Sequence, residues 1–324
     1  MKRNLILIMM LAMMYSCEYK DLCYDHNHGQ DTNCVLKLQL QLDVDVDFPV
    51  DVEDHTAIIP PEYMKVDFYS PETGAIIKTE YIQGSEGPIQ INPGTYNMVV
   101  YNFGTEWTQI RGEDDINTLE AFTSDITMTK AAALASFTRS GEYEAPGPII
   151  YTPDHLLVAR KQVEIPAFTE ETQVITVTAN AATIMETYSF ELPNVTGAEY
   201  ISSAEAFVTN QARGNYFGRG ELVAQPATLS FPVEVDKERR GLHTTFNTFG
   251  KLPGESHSYL HILIIDTEGE EYQISSDITD QFDNEDHRII IEDPVDIPPP
   301  EAGGNGITPT VDPWDEENHD VPIG

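Results

Sequence analysis

Residues 36–48, Leu-Lys-Leu-Gln-Leu-Gln-Leu-Asp-Val-Asp-Val-Asp-Phe, alternate apolar and polar side chains without a break. Period two puts the leucines, Val44, Val46 and Phe48 on one side of an extended chain and every charged or amide side chain on the other. A helix, at about 100° per residue, would scatter the same leucines around its whole circumference. The run therefore predicts a strand with one greasy and one wet face, the arrangement antiparallel sheets support. Usual strands have about five or six residues, so this longer run is expected to bend or bulge near Asp43. Its second half is expected at a sheet edge, where Asp43, Asp45 and Asp47 discourage edge pairing. Calcium is the rival reading of those aspartates. On a straight strand, however, their side chains lie about 6.6 Å apart, whereas calcium needs oxygens at about 2.3–2.6 Å. A solvated acidic face is preferred, and no metal or cofactor is expected.

The same strand character recurs at short spacing. Tyr63–Tyr69, Ala75–Ile82, Ile89–Ile91 and Thr95–Phe103 are separated by Ser70–Gly74, Gly84–Pro88 and Asn92-Pro93-Gly94, all turn signals. Asp125 caps one short helix expected over about Thr127–Phe137. Leu156–Val163 and Gln173–Thr178 return to strand. The second of these carries β-branched residues at both parities and reads as buried on both faces. A domain boundary is placed near Asn180–Thr183. Further strands follow at Tyr188–Leu192, Tyr200–Thr209, Thr228–Val235, Leu242–Phe249, Ser258–Asp266, Glu271–Ser276 and Arg288–Ile291, with a hairpin turn at Thr267-Glu268-Gly269. Many short strands between turns predict an all-β chain of two tandem β-sandwiches, residues 35–180 and 181–292. Residues 293–324 form an acidic Pro/Gly-rich tail without a core of its own. Its lone Trp314 is expected to dock on the parent sandwich, or else on a partner.

The start of the chain is a different object. Lys2 and Arg3 precede an apolar run from Leu5 to Met14, then Tyr15, Ser16 and Cys17. A charged start, a short apolar core and a small residue before the cut describe a secretory signal over residues 1–16. The run is too short to span a bilayer. With 54 acidic against 18 basic residues the net charge is −36, and losing Lys2 and Arg3 removes two positive charges, giving −38. Such a field repels nucleic acid and anionic lipid. Residues 17–34 are a polar tether. In it Cys23 and Cys34 are candidates for one disulfide in an oxidising compartment. Cys23, Asp25, His26, His28, Asp31 and Cys34 have the side chains of metal ligands but not an established ligand spacing, and a metal site is rejected.

Enzyme signatures are absent. There is no Gly-x-Ser-x-Gly elbow, no phosphate-cradling loop and no His-Glu-x-x-His. Pairs such as Asp114/Asp115 and Glu270/Glu271 are adjacent residues, which point to opposite faces of a strand or lie in loops, whereas glycoside cleavage needs carboxylates that face each other across a substrate. The candidate recognition loop is Arg213, Asn215, Tyr216, Phe217 and Arg219, with Gly214 and Gly218 allowing tight turns. It is a local basic spot, which either contacts a partner or pairs with nearby carboxylates. Trp107, Tyr216 and Phe217 are the candidate stacking residues for a glycan, and Trp314 is a further candidate contact.

Ser16-Cys17 resembles a bacterial lipobox, which implies a lipid on the Cys17 thiol as the only anchor. Glu18, Tyr19, Lys20 and Asp21 resemble the export signal that carries Bacteroides-type lipoproteins to the outer face. With the alternating strand, the tandem sandwiches and the run Ile274-Ser275-Ser276-Asp277-Ile278-Thr279-Asp280-Gln281, the chain resembles an uncharacterised lipoprotein family of those bacteria. That family is similar to the fimbrillin-associated anchor proteins of type V pili. The resemblance implies transthyretin-like (Greek-key) sandwiches and outer-membrane attachment facing the exterior. It also implies fimbrial subunits or another surface protein as partners, and no catalysis. The alternative is a surface lipoprotein that binds a glycan or a host protein.

Overall fold

The leucines of the alternating run do what their spacing requires. In the computed structural model, which describes residues 34–43, 58–126, 147–167, 173–254, 257–282, 284 and 286–300, β1 is Cys34–Leu42. Leu36, Leu38 and Leu40 are buried, while Lys37 and Gln41 face solvent. The strand ends at Leu42, and the second half of the run, which carries the expected bend and sheet edge, falls on residues 44–57, outside the described residues. The described part of the run is an interior strand. It runs antiparallel to β4 (Glu86–Gln90) on one side and parallel to β10 (Gln173–Thr183) on the other.

These three strands form one layer of a sandwich. The facing layer is antiparallel, in the order β3 (Ile76–Gln83), β2 (Tyr63–Tyr69), β5 (Gly94–Asn102), β9 (Leu157–Ile165). The layers join on one side through the tight turn at Gly84 and Ser85 between β3 and β4. On the other they meet where Leu157 and Val158 pair with Thr183 and Ala182. Between them the β1 leucines pack with Met64, Val66, Phe68, Met98, Val100, Val163 and Ala181. The expectation that Gln173–Thr178 is buried on both faces fails. Val174, Thr176 and Thr178 are exposed, and Ile175, Val177 and Ala179 point inward, because nothing described packs on the outside of that layer.

The second half builds another layered β unit. One layer is β19 (Glu271–Asp277), β18 (Tyr259–Asp266), β13 (Ile201–Ala212) and β16 (Pro226–Asp236), extended by β8 (Ile149–Tyr151), which comes from the first half and lies parallel to β16. At Glu234–Asp236 the long β16 turns to pair with β17 (Gly241–Thr248), leading into a layer completed by β11 (Glu186–Leu192) and β20 (Arg288–Ile290). Phe190, Leu229, Phe231, Phe246 and Ile262 fill the space between, with Phe231 and Phe246 stacked at 4.3 Å and 11°.

The body continues past residue 292. β21 (Val295–Asp296) pairs with β12 (Val195–Thr196), and Ile297 is buried in the second core. Gly197 sits opposite at φ 78°, where a Cβ would lie 1.9 Å from the Ile297 carbonyl oxygen, so only glycine permits this approach. The only α-helix among the described residues is α1 (Thr279–Phe282), which begins in the Asp-Ile-Thr-Asp-Gln run and ends one residue past it. The helix expected at 127–137 falls outside them. No described helix is long and apolar enough to cross a membrane.

Candidate partner surface

A small four-stranded sheet ties the halves together, in the order β15 (Glu221–Leu222), β14 (Gly214–Tyr216), β7 (Glu120–Phe122), β6 (Gln109–Arg111). β14 belongs to the aromatic and arginine loop, and its Gly214 and Asn215 pair with Phe122 and Ala121 from the first half. Phe217 is not a partner contact. It is fully buried, edge-to-face on Tyr101 at 5.0 Å, in a cluster with Tyr69, Val99, Leu119, Leu156, Met185 and Phe249. The two glycines serve close approach as much as turning. A Cβ on Gly214 would lie 2.6 Å from the Ala121 oxygen, and one on Gly218 would lie 2.0 Å from the Ile116 oxygen.

The charges of the loop are spent locally. Arg213 pairs with Asp125 at 3.0 Å, and Arg219 pairs with Glu221 at 3.2 Å while its guanidinium covers the half-buried Tyr216 ring at 4.6 Å. A loop that reads as a recognition element is built as a clasp between the two units. Trp107 lies elsewhere, stacked on Tyr151 at 4.4 Å and 29°. Its backbone N–H donates to the Asp154 carboxylate, and 38% of the residue stays exposed. Nearby in sequence, Phe103 packs edge-on against Tyr81 of β3 at 5.5 Å, and both rings are exposed, as is Tyr63. Sequence reading missed these. Tyr81 has the same parity as the exposed Ile77 and Gln83, and that outward parity was the available signal.

Also missed was a buried polar network on the outer side of β2. Asp67 is fully buried and accepts hydrogen bonds from Tyr101 and Thr79, each at 2.6 Å, and from Tyr69 at 3.4 Å. The Lys65 ammonium lies 2.8 Å from Glu113 and 3.6 Å from Asp67. The Tyr101 proton is shared with Glu113, at 3.2 Å, and the Tyr69 proton with the Glu113 carbonyl, at 3.1 Å. Burial first, and then the Asp67 carboxylate, push both tyrosine hydroxyls far above the ordinary range, so they remain donors. Burial works against the Lys65 ammonium, but the Glu113 hydrogen bond and the two carboxylates outweigh it and raise its pKa. Both carboxylate oxygens of Asp67 accept hydrogen bonds, and the network ties β2, β3, β5 and the loop before β7 together.

Cys17, Cys23 and Trp314 lie outside the described residues, and Cys34 is described only as the first residue of β1. Among the described residues no group of His, Cys, Asp or Glu is placed to hold a metal ion.

Comparison with known proteins places the chain. Residues 16–232 match the model of DUF5119, a domain of unknown function. The chain belongs to the DUF5119 family. This DUF5119 chain is 23% identical over 300 residues to a Bacteroides ovatus protein that carries the name fimbrium anchoring subunit Fim4B, covering 81% of the chain and 85% of that protein. The crystal structure of a Bacteroides ovatus protein described as an adhesin superposes with a TM-score of 0.56 at 20% identity, over 84% of this chain and 94% of that one. The fimbrial anchor Mfa2 of Porphyromonas gingivalis gives a TM-score of 0.46 at 12% identity, over 76% and 83%. The fold is thus shared with a solved adhesin-type structure.

Proposed function

We propose that this chain is a non-catalytic anchoring or adhesive component of a fimbrium, held to the bacterial outer membrane by a lipid on Cys17 and exposed to the exterior. The observation that carries the reading is the extent of the likeness to Fim4B, which spans most of both chains rather than one module. In support, the central ring of the candidate recognition loop is used inside the fold. Phe217 fills the junction, and Arg213 and Arg219 are paired with Asp125 and Glu221. The partners are fimbrial subunits, and the net charge of −36 suits a partner surface of basic character.

The test has two parts. Palmitate labelling of cells carrying the parent or Cys17→Ala is expected to mark only the parent, and protease applied to whole cells is expected to shave it. A pull-down from the same cells is expected to bring fimbrial subunits with it. Unlabelled parent protein, or labelled protein without any fimbrial subunit, rejects the corresponding half of the proposal.

The glycan reading rests on a smaller observation, the exposed Trp107 ring stacked on Tyr151. It predicts retention on polysaccharide that is lost with Trp107→Ala. Retention unchanged by that substitution removes it.

A further inference from the structure

β9 and β10 follow one another in the chain, yet they pair only through Leu157 and Val158 with Thr183 and Ala182. Continuing that register would set Lys161 opposite Ala179. The strands part instead, one into each layer of the sandwich. From Val174 to Asn180, β10 is paired among the described residues with β1 alone. On the β1 side the Asp43 amide donates to the Ala181 carbonyl. Backbone groups alternate between the two edges of a strand. Val174, Thr176, Thr178 and Asn180 therefore turn their N–H and C=O groups to the other edge, which is open among the described residues.

One of those carbonyls is capped. The Lys161 ammonium donates to the Thr178 oxygen at 2.7 Å. Lys161 occupies an inward position of β9, in parity with the core residues Ala159, Val163 and Ile165, yet it is exposed. An inward-pointing charge on a strand edge is a device that blocks pairing with another chain. The strand it guards is built to pair. Residues 173–183, Gln-Val-Ile-Thr-Val-Thr-Ala-Asn-Ala-Ala-Thr, hold no charge, no proline and no glycine, the composition of segments that add to sheet edges. Val174 is 63% exposed. In a chain of net charge −36, two copies repel at long range, but this uncharged edge meets its own image without opposing like charges.

We infer that the free edge of β10 is a strand-addition surface for the same edge of a second copy, and that Lys161 holds it shut in the monomer. The contact is isologous. An antiparallel pair centred on Val177 sets Val174 against Asn180 and Thr176 against Thr178, so every open-edge group finds its counterpart. The inference stands on this geometry and not on the fimbrial reading.

Sedimentation velocity of the full-length parent, Lys161→Ala and Lys161→Ala/Thr176→Lys tests it, at low salt and at about 1 M salt, where the screening length is about 3 Å. The parent is expected as monomer. Lys161→Ala is expected to shift toward dimer at high salt, with the amides of Val174, Thr176, Thr178 and Asn180 exchanging about tenfold more slowly. The added lysine of the double variant is expected to restore the monomer. Lys161→Met, which keeps the length of the side chain without its charge, serves if the alanine variant does not fold. Three results overturn the inference: Lys161 variants that stay monomeric, a dimer whose β10 amides exchange as before, or a dimer that survives Thr176→Lys. A parent already paired through β10 overturns the guarding role.

Discussion

Asp67 is held by three hydroxyl groups and lies near one ammonium, and removing its charge leaves Tyr101 and Thr79 aimed at a weaker acceptor. Asp67→Asn is expected to cost about 3 kcal/mol, the scale of breaking a buried charged interaction, against about 1 kcal/mol for Tyr101→Phe, which deletes one buried hydroxyl. Denaturant melts of the two variants check the order. If Tyr101→Phe costs as much as Asp67→Asn, the carboxyl is not the hub.

His261 gives a pH prediction. It is fully buried, hydrogen-bonded through Nδ1 to Ser275 at 2.8 Å, and burial lowers its pKa from 6.5 to about 4. Between those values the unfolded chain takes up a proton that the folded chain refuses. This contribution is complete above the unfolded pKa and is lost as pH falls toward the folded one. The parent is expected to lose up to about 3 kcal/mol relative to His261→Gln across that window. Parallel stability curves for the two proteins would contradict it. Neither residue was legible beforehand. Asp67 reads as one charge in an imperfect alternation, and Tyr101, which completes its site, is 34 positions away.

At the scale of elements, alternation was a sound guide to which face of β1 is buried and silent about neighbours. Leu36, Leu38 and Leu40 point inward as their spacing demands. The parallel partner β10 is supplied from far along the chain, a pairing that no local pattern encodes. Gln173–Thr178 shows the converse limit, since threonine and valine suit a half-exposed strand as well as a buried one. The loop at 213–219 carried aromatic and basic residues, and sequence could not tell a clasp from a binding loop because both need turns and rings. Its role as a clasp predicts that Phe217→Ala costs about 3–5 kcal/mol. Gly218→Ala costs about 3 kcal/mol, because its Cβ would collide with the Ile116 carbonyl. At Gly84 nothing lies within 4 Å of a Cβ, although φ is +62°, so Gly84→Ala is expected to cost only about 1 kcal/mol. Equal losses at the two glycines would mean that the clasp is looser than described.

For the whole molecule, several connections among the described residues cross between the halves. β8 of the first half extends the second half's layer, β7 pairs with β14, and one apolar cluster draws residues from Tyr69 to Phe249. Calorimetry is therefore expected to show one unfolding transition, which Phe217→Ala splits into two. Two transitions in the parent would show that the halves fold independently. The anchoring role is a claim at this scale too, and it turns on Cys17. Cells whose only copy carries Cys17→Ala are the direct test, with fimbriae counted on the cells and in the medium. Fimbriae shed into the medium are the predicted result. Fimbriae retained on the cell surface at the parental level would contradict the account.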